Sequence, residues 1–256
     1  MKSKRERVVG VIPARWASTR LPGKALVPIC GKPLIQWVLE RVLLATRLDE
    51  VLVATDDERI RSVVTSLGGM AVMTRTDHPS GTDRVAEAVS GRDAGIVINI
   101  QGDEPLIDPG LINHLVEVMV EGREWDMATA ATPIHASEEL NKPSVVKVVV
   151  GEHGRALYFS RSVIPFVRDT VPAGLIHWRH VGIYAYRRAF LDRLVKAPPC
   201  VLELTEKLEQ LRALHLGARM KVVETREIGL GVDTPEDIGL VEAALKRAGV
   251  TSSLRM

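Results

Sequence analysis

The chain has 256 residues, with 34 Lys and Arg against 32 Asp and Glu, and its net charge of +2 is too even for bulk nucleic-acid binding. At 46% hydrophobic and 26% charged residues it has the composition of a globular protein, and at 4% aromatic its core must be aliphatic. Its two cysteines, Cys30 and Cys200, exclude a disulfide framework and a CxxC zinc site, and no apolar run approaches the roughly 18 residues of a membrane span.

In chain order, residues 1–7 form a basic start that leads into a strand and not into a signal-type apolar region, so it reads as a solvated tail. With the cysteine usage, this gives an expected cytoplasmic location with no membrane and no nucleic-acid partner. Val8–Ile12, Glu50–Thr55, Met70–Thr74 and Gly95–Ile100 are short apolar or β-branched runs that suit parallel strands covered on both faces. Between them lie helical patterns. Pro33 opens the first, with Leu34, Val38, Val42 and Ala45 on one face; Glu58–Leu67, Thr82–Ser90 and Leu111–Val120 follow. This alternation predicts a doubly wound, mostly parallel α/β sheet with right-handed crossovers.

After about residue 126 the order loosens. Asp126–Ile134, Ser144–Val150, His180–Tyr186 and Met220–Thr225 read as strands, and Ala156–Pro172 as a mixed, Arg-rich stretch. Glu203–Leu216 is expected to form one amphipathic helix with Leu204, Leu208, Leu211 and Leu214 buried, leaving Glu209 and Gln210 off that face. Thr234 and Pro235 start a last helix that runs to about Arg247. With no repeat and no Gly/Ser linker, residues 8–256 are expected to be a single domain, with halves at about 8–125 and 126–250.

The loop after the first strand carries Arg15, Arg20 and Lys24 within ten residues, beside Ser18 and Thr19. In an open α/β sheet ligands bind beyond the carboxyl ends of the strands, so this loop suits a polyphosphate, whose oxygens each need a charge or a donor. The chain has neither a GxxxxGK[ST] loop nor a GxGxxG after its first strand, which argues against P-loop NTPases and NAD-type dehydrogenases. Gln101-Gly102-Asp103-Glu104-Pro105 puts a glycine and two acids at a strand end, where Asp103 either holds magnesium or caps the next loop. Asp233, just before the last helix, is either a neighbour of the helix cap or a second metal ligand.

Ile12-Pro13-Ala14-Arg15 through Arg20-Leu21-Pro22-Gly23-Lys24 resembles the signature loop of the CMP-sugar synthetases. Met73-Thr74-Arg75, Ser80-Gly81-Thr82-Asp83-Arg84, Gln101–Pro105, Ala156–Arg161, Arg179–Tyr184, Leu208–Arg212 and Gly231–Asp237 follow in order. Together they resemble the CMP-Kdo synthetase family, the 3-deoxy-manno-octulosonate cytidylyltransferases, from about Val8 to Arg247. The resemblance implies a nucleotide-diphospho-sugar transferase-like fold. It also implies transfer of the cytidylyl group of CTP to Kdo, for lipopolysaccharide biosynthesis, with two magnesium ions on Asp103 and Asp233.

On the same resemblance Arg15 and Lys24 serve catalysis through the β- and γ-phosphates, with Arg20 also on the nucleotide. Ala14, Thr74, Arg75, Ser80, Gly81, Thr82 and Gln101 surround the base. Cytosine's exocyclic amino group calls for acceptors, expected to be carbonyls of the Ser80–Thr82 turn, which also suits a helix cap. Gln101, Arg161, His180, Tyr184, Glu209 and Gln210 are implied for the sugar, and a homodimer contact for the second half. Trp16 stands where relatives carry Tyr, and Ile228-Gly229-Leu230-Gly231 is shorter than the family's Gly-rich approach to Asp233. A CMP-sialic acid synthetase, a glycosyltransferase and a non-catalytic nucleotide-binding protein are the competing readings. The glycosyltransferase lacks its Asp-x-Asp pair here, because Asp103 is followed by Glu104 and Pro105.

Overall fold

The computed structural model describes residues 5–18, 20–226, 229–247 and 249. Residues 1–4 of the expected tail, Thr19 of the first loop and Ile228 lie outside the described residues. Two compact units are present: residues 1–113 with 229–256, and residues 114–228.

The first unit begins with β1 (Val8–Ala14), followed by a single 3-10 turn at Lys24–Leu26 and a short hairpin of β2 (Pro28–Ile29) and β3 (Lys32–Pro33). Then come α1 (Leu34–Val42), β4 (Glu50–Thr55), α2 (Glu58–Ser66), β5 (Met70–Met73), α3 (Gly81–Ala88) and β6 (Ile96–Asn99). The strand order is β6-β1-β4-β5, every neighbour parallel. The chain steps outward from β1 through β4 to β5, then returns to the other side of β1 as β6. The order therefore reverses between β1 and β6, and an open α/β sheet offers its ligand crevice at such a reversal, beyond the carboxyl ends.

The core is aliphatic, as the composition requires. Val8, Val9, Val11 and Ile12 of β1 are fully buried, as are Ile96, Val97 and Ile98 of β6. The predicted stripe of α1 is buried in full, and Trp37 on the same helix donates its indole N–H to the Ile29 carbonyl at 2.8 Å. One expectation needs correcting: β5 is the edge strand, and Met70 and Met73 are exposed instead of covered.

Helix α4 (Pro109–Glu121) carries the chain into the second unit, which holds β7 (Met127–Pro133), α5 (Ser137–Leu140), β8 (Lys147–Val150), β9 (Ala156–Ser160) and β10 (Trp178–Arg187). It continues with α6 (Arg188–Lys196), α7 (Val201–Glu206), α8 (Gln210–His215) and β11 (Met220–Glu224). Strand β7 pairs parallel with β11 and antiparallel with β10, and β8 lies antiparallel to β10 and β9. The chain then rejoins the first unit through α9 (Pro235–Arg247).

The single helix expected over Glu203–Leu216 is instead α7 and α8, because Lys207 between them takes a left-handed conformation with φ 53°. The break re-aims the stripe. Leu208 and Leu211 are buried, Leu204 is exposed, and Gln210, expected off the buried face, is itself buried.

Gly102 marks how closely the first unit is built at its reversal point. A Cβ on this residue would stand 2.5 Å from the Pro13 carbonyl oxygen, and backbone cannot yield as the end of a flexible side chain can. Gly102→Ala is expected to lower stability by about 1–3 kcal/mol, the range of an overpacked interior. Thermal unfolding followed by circular dichroism checks this, against a Tm equal to the parent's.

Candidate active site

At the β1/β6 reversal the first unit contains a cavity of about 320 Å³, within the usual range for a small-molecule site. The loop after β1 contributes Ala14, Arg15, Ser18, Arg20 and Lys24, and the loop after β6 contributes Gln101, Gly102 and Asp103. Asp233 closes the ring from the segment that precedes α9. Arg15, Arg20, Lys24, Asp103 and Asp233 are the residues assigned from the sequence to phosphate and metal, while Ala14 and Gln101 were assigned to the base, Gln101 also to the sugar. Trp16 shapes the first loop: its N–H donates to Asp56 Oδ1 at 3.0 Å, its ring lies under the Arg59 guanidinium at 3.3 Å, and its carbonyl receives the Gly23 N–H. Gly23 adopts φ 67° and packs so close to that ring that a Cβ would come within 2.9 Å of it. The turn directs Lys24 back across the cavity.

Lys24 Nζ donates to Asp103 Oδ2 at 2.6 Å and to Asp233 Oδ1 at 3.1 Å, and Arg20 meets the same Asp233 oxygen at 3.0 Å. Asp233 is a neighbour of the α9 cap through its backbone N–H, while its carboxylate is turned elsewhere. Capping of α9 is done by Asp237, whose Oδ2 accepts from the Asp233 N–H, the Thr234 N–H and the Thr234 hydroxyl. Burial alone would raise the Asp237 carboxyl, and these hydrogen bonds outweigh it, so the group lies below its ordinary pKa. The Asp233 carboxylate points instead at the cations. Its position beside Asp103 is fixed by the buried Val232, whose N–H donates to the Asp103 carbonyl at 2.9 Å.

Two carboxylates converging on one cationic centre are a hard oxygen donor set, and magnesium fits it. Among the described residues no cluster of three or more His, Cys, Asp or Glu groups could hold an ion. The remaining ligands would be phosphate oxygens and water, the usual company of magnesium.

The opposite wall is the start of α3. Ser80 is its N-cap, accepting the Asp83 N–H at 3.2 Å and donating to the Asp83 carboxylate at 2.6 Å, while Ser80 and Gly81 both line the cavity. Cap and wall are thus the same residue. Thr74, Arg75 and Thr82 do not line the cavity. Thr74 is buried and donates to the Thr55 carbonyl, Arg75 is exposed and paired with Asp77, and Thr82 is buried in α3. The structure adds two titratable lining residues to which the sequence gave no role. His78 pairs through Nε2 with Glu87. Arg84 is buried and donates to Asp56 Oδ2 at 2.8 Å and to Thr74 Oγ1. Asp56 thereby joins the first loop, through Trp16, to α3. Arg84 stood within a quoted motif, and its helical spacing from Ser80 was the available signal.

Of the residues assigned to the sugar, Gln101 lines the cavity of the first unit, and Arg161, His180, Tyr184, Glu209 and Gln210 lie in the second unit. Between Val181 and Tyr184 strand β10 bulges, so that Tyr184 pairs with Thr129 one position after Val181 pairs with Ala130. The buried Thr129 hydroxyl fills the bulge, donating to the Ile183 carbonyl at 2.8 Å. Its one proton is then committed, and the 2.9 Å contact to His180 Nε2 requires that nitrogen to be the donor. Nδ1 is left as an acceptor. The His180 ring meets Phe159 edge-on at 4.9 Å and lies 5.5 Å from the Tyr184 ring. Burial pushes the His180 pKa down from 6.5 to about 3, and burial followed by the Glu209 charge pushes Tyr184 up.

His180, Tyr184 and Glu209 therefore form one group, with Gln210 next in the chain. Arg161 is held differently. Its guanidinium donates to the carbonyls of Glu206, Pro143 and Lys207, and its N–H to the Glu206 carboxylate. The buried Lys147 donates to the Arg161 carbonyl and to those of Lys142 and Val145.

The cytidylyltransferase family profile matches residues 9–222. The chain belongs to the cytidylyltransferase family. Among curated cytidylyltransferases, the 3-deoxy-manno-octulosonate cytidylyltransferase of Geobacter sulfurreducens is 48% identical over 248 residues, 93% of this chain and 99% of that one. The enzyme of the same name from Bdellovibrio bacteriovorus is 47% identical over 247 residues, 95% and 100% of the two chains. A solved structure of CMP:2-keto-3-deoxy-manno-octonic acid synthetase complexed with CTP superposes with a TM-score of 0.90 and 45% identity, covering 94% of this chain and 99% of that one. The 4-diphosphocytidyl-2C-methyl-D-erythritol synthase of Anaerococcus prevotii, 15% identical with a TM-score of 0.65 over 95% and 100% of the chains, shares the fold. The α/β class expected from the sequence stands.

In this cytidylyltransferase His180 is expected to stay neutral well into acid. Between the ordinary 6.5 and the folded value of about 3, the unfolded chain binds a proton that the folded one does not. The associated stability is complete above pH 6.5 and declines as the pH falls toward 3. Histidine-selective nitrogen NMR should show the Nε2–H tautomer unchanged from about pH 8 to 5; titration of this ring near 6.5 would contradict the assignment.

Proposed function

We infer that the protein transfers the cytidylyl group of CTP to the anomeric hydroxyl of Kdo, 3-deoxy-manno-octulosonate, and so supplies CMP-Kdo for lipopolysaccharide biosynthesis. The observation that carries this is likeness, over nearly the whole chain, to enzymes named for that reaction, joined to a cavity lined by Arg15, Arg20, Lys24 and Arg84 and by two carboxylates, Asp103 and Asp233. In the reaction the Kdo oxygen forms a bond to the α-phosphorus. The bond from that phosphorus to the bridging oxygen breaks, pyrophosphate leaves with the electron pair, and the hydroxyl proton passes to water.

Arg15, Arg20 and Lys24 bind the β- and γ-phosphates and take up the charge that grows on the departing pyrophosphate. Asp103 and Asp233 hold magnesium, two ions in the full complex. When bound, magnesium lowers the pKa of the attacking hydroxyl and neutralises the leaving group. Ala14, Gln101 and the Ser80-Gly81 turn enclose the base, with Thr74, Arg75 and Thr82 outside the cavity. Turn carbonyls accept the cytosine amino group; uracil would set an oxygen against them, and an unmatched group of this kind costs about 1–3 kcal/mol.

Kdo is an acid sugar rich in hydroxyls. The unprotonated Nδ1 of His180 accepts from one hydroxyl, and Tyr184, Glu209, Gln210 and Gln101 supply further partners. Arg161 answers the sugar carboxylate. Because His180 is neutral, the carboxylate depends on that guanidinium for its charge.

The protein acts as a homodimer joined through the second unit. Support comes from the apolar side chains exposed there, among them Phe166, Val171, Val201 and Leu204. Light scattering is expected to return twice the 28.1 kDa chain mass, and a single-chain mass would refute the dimer.

Pyrophosphate release from CTP and Kdo with magnesium tests the reaction itself. Asp103→Asn is expected to lower turnover by more than tenfold, about 1.4 kcal/mol of transition-state stabilisation, while changing CTP affinity less. Turnover of sialic acid in place of Kdo would move the protein to the sialic acid branch.

A further inference from the structure

The carboxylates that would receive a divalent cation already have partners in the chain. Lys24 Nζ lies within hydrogen-bond distance of both, 2.6 Å from Asp103 Oδ2 and 3.1 Å from Asp233 Oδ1. Arg20 adds a second positive charge at 3.0 Å from the same Asp233 oxygen. Two negative charges are thus matched by two positive ones. A divalent ion that takes those carboxylates meets the ammonium already held there, and the like charges repel.

The geometry points to Lys24 as an exchangeable counter-ion that couples the two ligands. Its ammonium competes with the divalent cation for Asp103 and Asp233, and it releases them when a triphosphate offers it other oxygens. This rests on the reading that a divalent cation sits on those two carboxylates. The exchange needs only side-chain motion. The backbone on either side of Lys24 is fixed, with the Leu26 N–H on the Gly23 carbonyl at 2.8 Å and the Val27 N–H on the Lys24 carbonyl at 3.1 Å. The side chain itself is a flexible stem ending in a point charge, without the planar fork that would bind an arginine to one partner.

Two consequences follow. A metal arriving alone must displace Lys24 with nothing to receive it, and binds weakly. With nucleotide present, Lys24 and Arg20 gain phosphate partners and the carboxylates are released, so each ligand strengthens the binding of the other by the same factor.

The test uses Mn²⁺ with no nucleotide, followed by electron paramagnetic resonance on the full chain. Lys24→Met keeps the stem and removes the charge, and is expected to bind Mn²⁺ about tenfold more tightly than the parent, within the ordinary range of such couplings. Adding Asp103→Asn to that variant should cancel the gain. Lys24→Gln serves as a second variant, and circular dichroism establishes that each is folded. Folded variants that bind Mn²⁺ no more tightly than the parent overturn the inference. Calorimetry on the parent needs no variant: CTP should bind more tightly with Mg²⁺ than with EDTA, and equal affinities also overturn it. If turnover of CTP and Kdo persists in EDTA, both the metal reading and this inference fall. If turnover requires Mg²⁺ and the Mn²⁺ gain is absent, only the inference falls.

Discussion

One ammonium group gathers three segments of the first unit that are far apart in the chain. Lys24 reaches Asp103 across 79 residues and Asp233 across 209. Each of the three follows a different element: the loop after β1, the loop after β6, and the segment leading into α9. The Lys24 charge between the Asp103 and Asp233 carboxylates offsets their mutual repulsion. Most other details of this end of the unit serve the convergence. Gly102 lets β6 come up to the Pro13 carbonyl, Val232 ties the returning segment to Asp103, and Gly23 turns the first loop back under Trp16.

The second unit is organised around a different constraint. A bulge in β10 leaves strand carbonyls off the ladder, and Thr129 beneath it supplies the missing donor. A single hydroxyl proton spent there sets the tautomer of His180, and burial keeps the ring uncharged. An irregular backbone has thereby fixed the chemistry of one side chain through a chain of two hydrogen bonds. The bulge also explains why His180 and Tyr184 meet as rings although the strand between them is not regular.

The parts of this structure that local rules govern were legible in the sequence. Val8–Ala14 and Glu50–Thr55 are strands because β-branched and apolar residues run unbroken, and Pro235–Arg247 is a helix because its start is marked by Thr234 and Pro235. The cations and acids of the cavity were legible because a parallel sheet delivers its strand ends to one edge. What escaped were features set by tertiary contact. The periodic leucines of 204–214 gave no sign that Lys207 would take a left-handed conformation and bury Gln210. Arg84 stood inside a motif with no role of its own and His78 had none, since their partners Asp56 and Glu87 become neighbours only after folding. Thr74 and Thr82 belonged to motifs for the base, and the structure spends both on packing behind the wall.

The buried pair of Arg84 and Asp56 bears on how the cavity would meet a ligand. Asp56 holds the first loop through the Trp16 N–H, and Arg84 holds Thr74 and stands in α3 itself. The two sides of the pocket are consequently one mechanical piece, set when the chain folds. An arriving ligand does not have to order them, so the entropy of arranging those walls is charged to folding and not to binding. Arg15 and Arg20 stand exposed at the rim of the cavity, outside the Asp56 and Arg84 bonds that brace its walls.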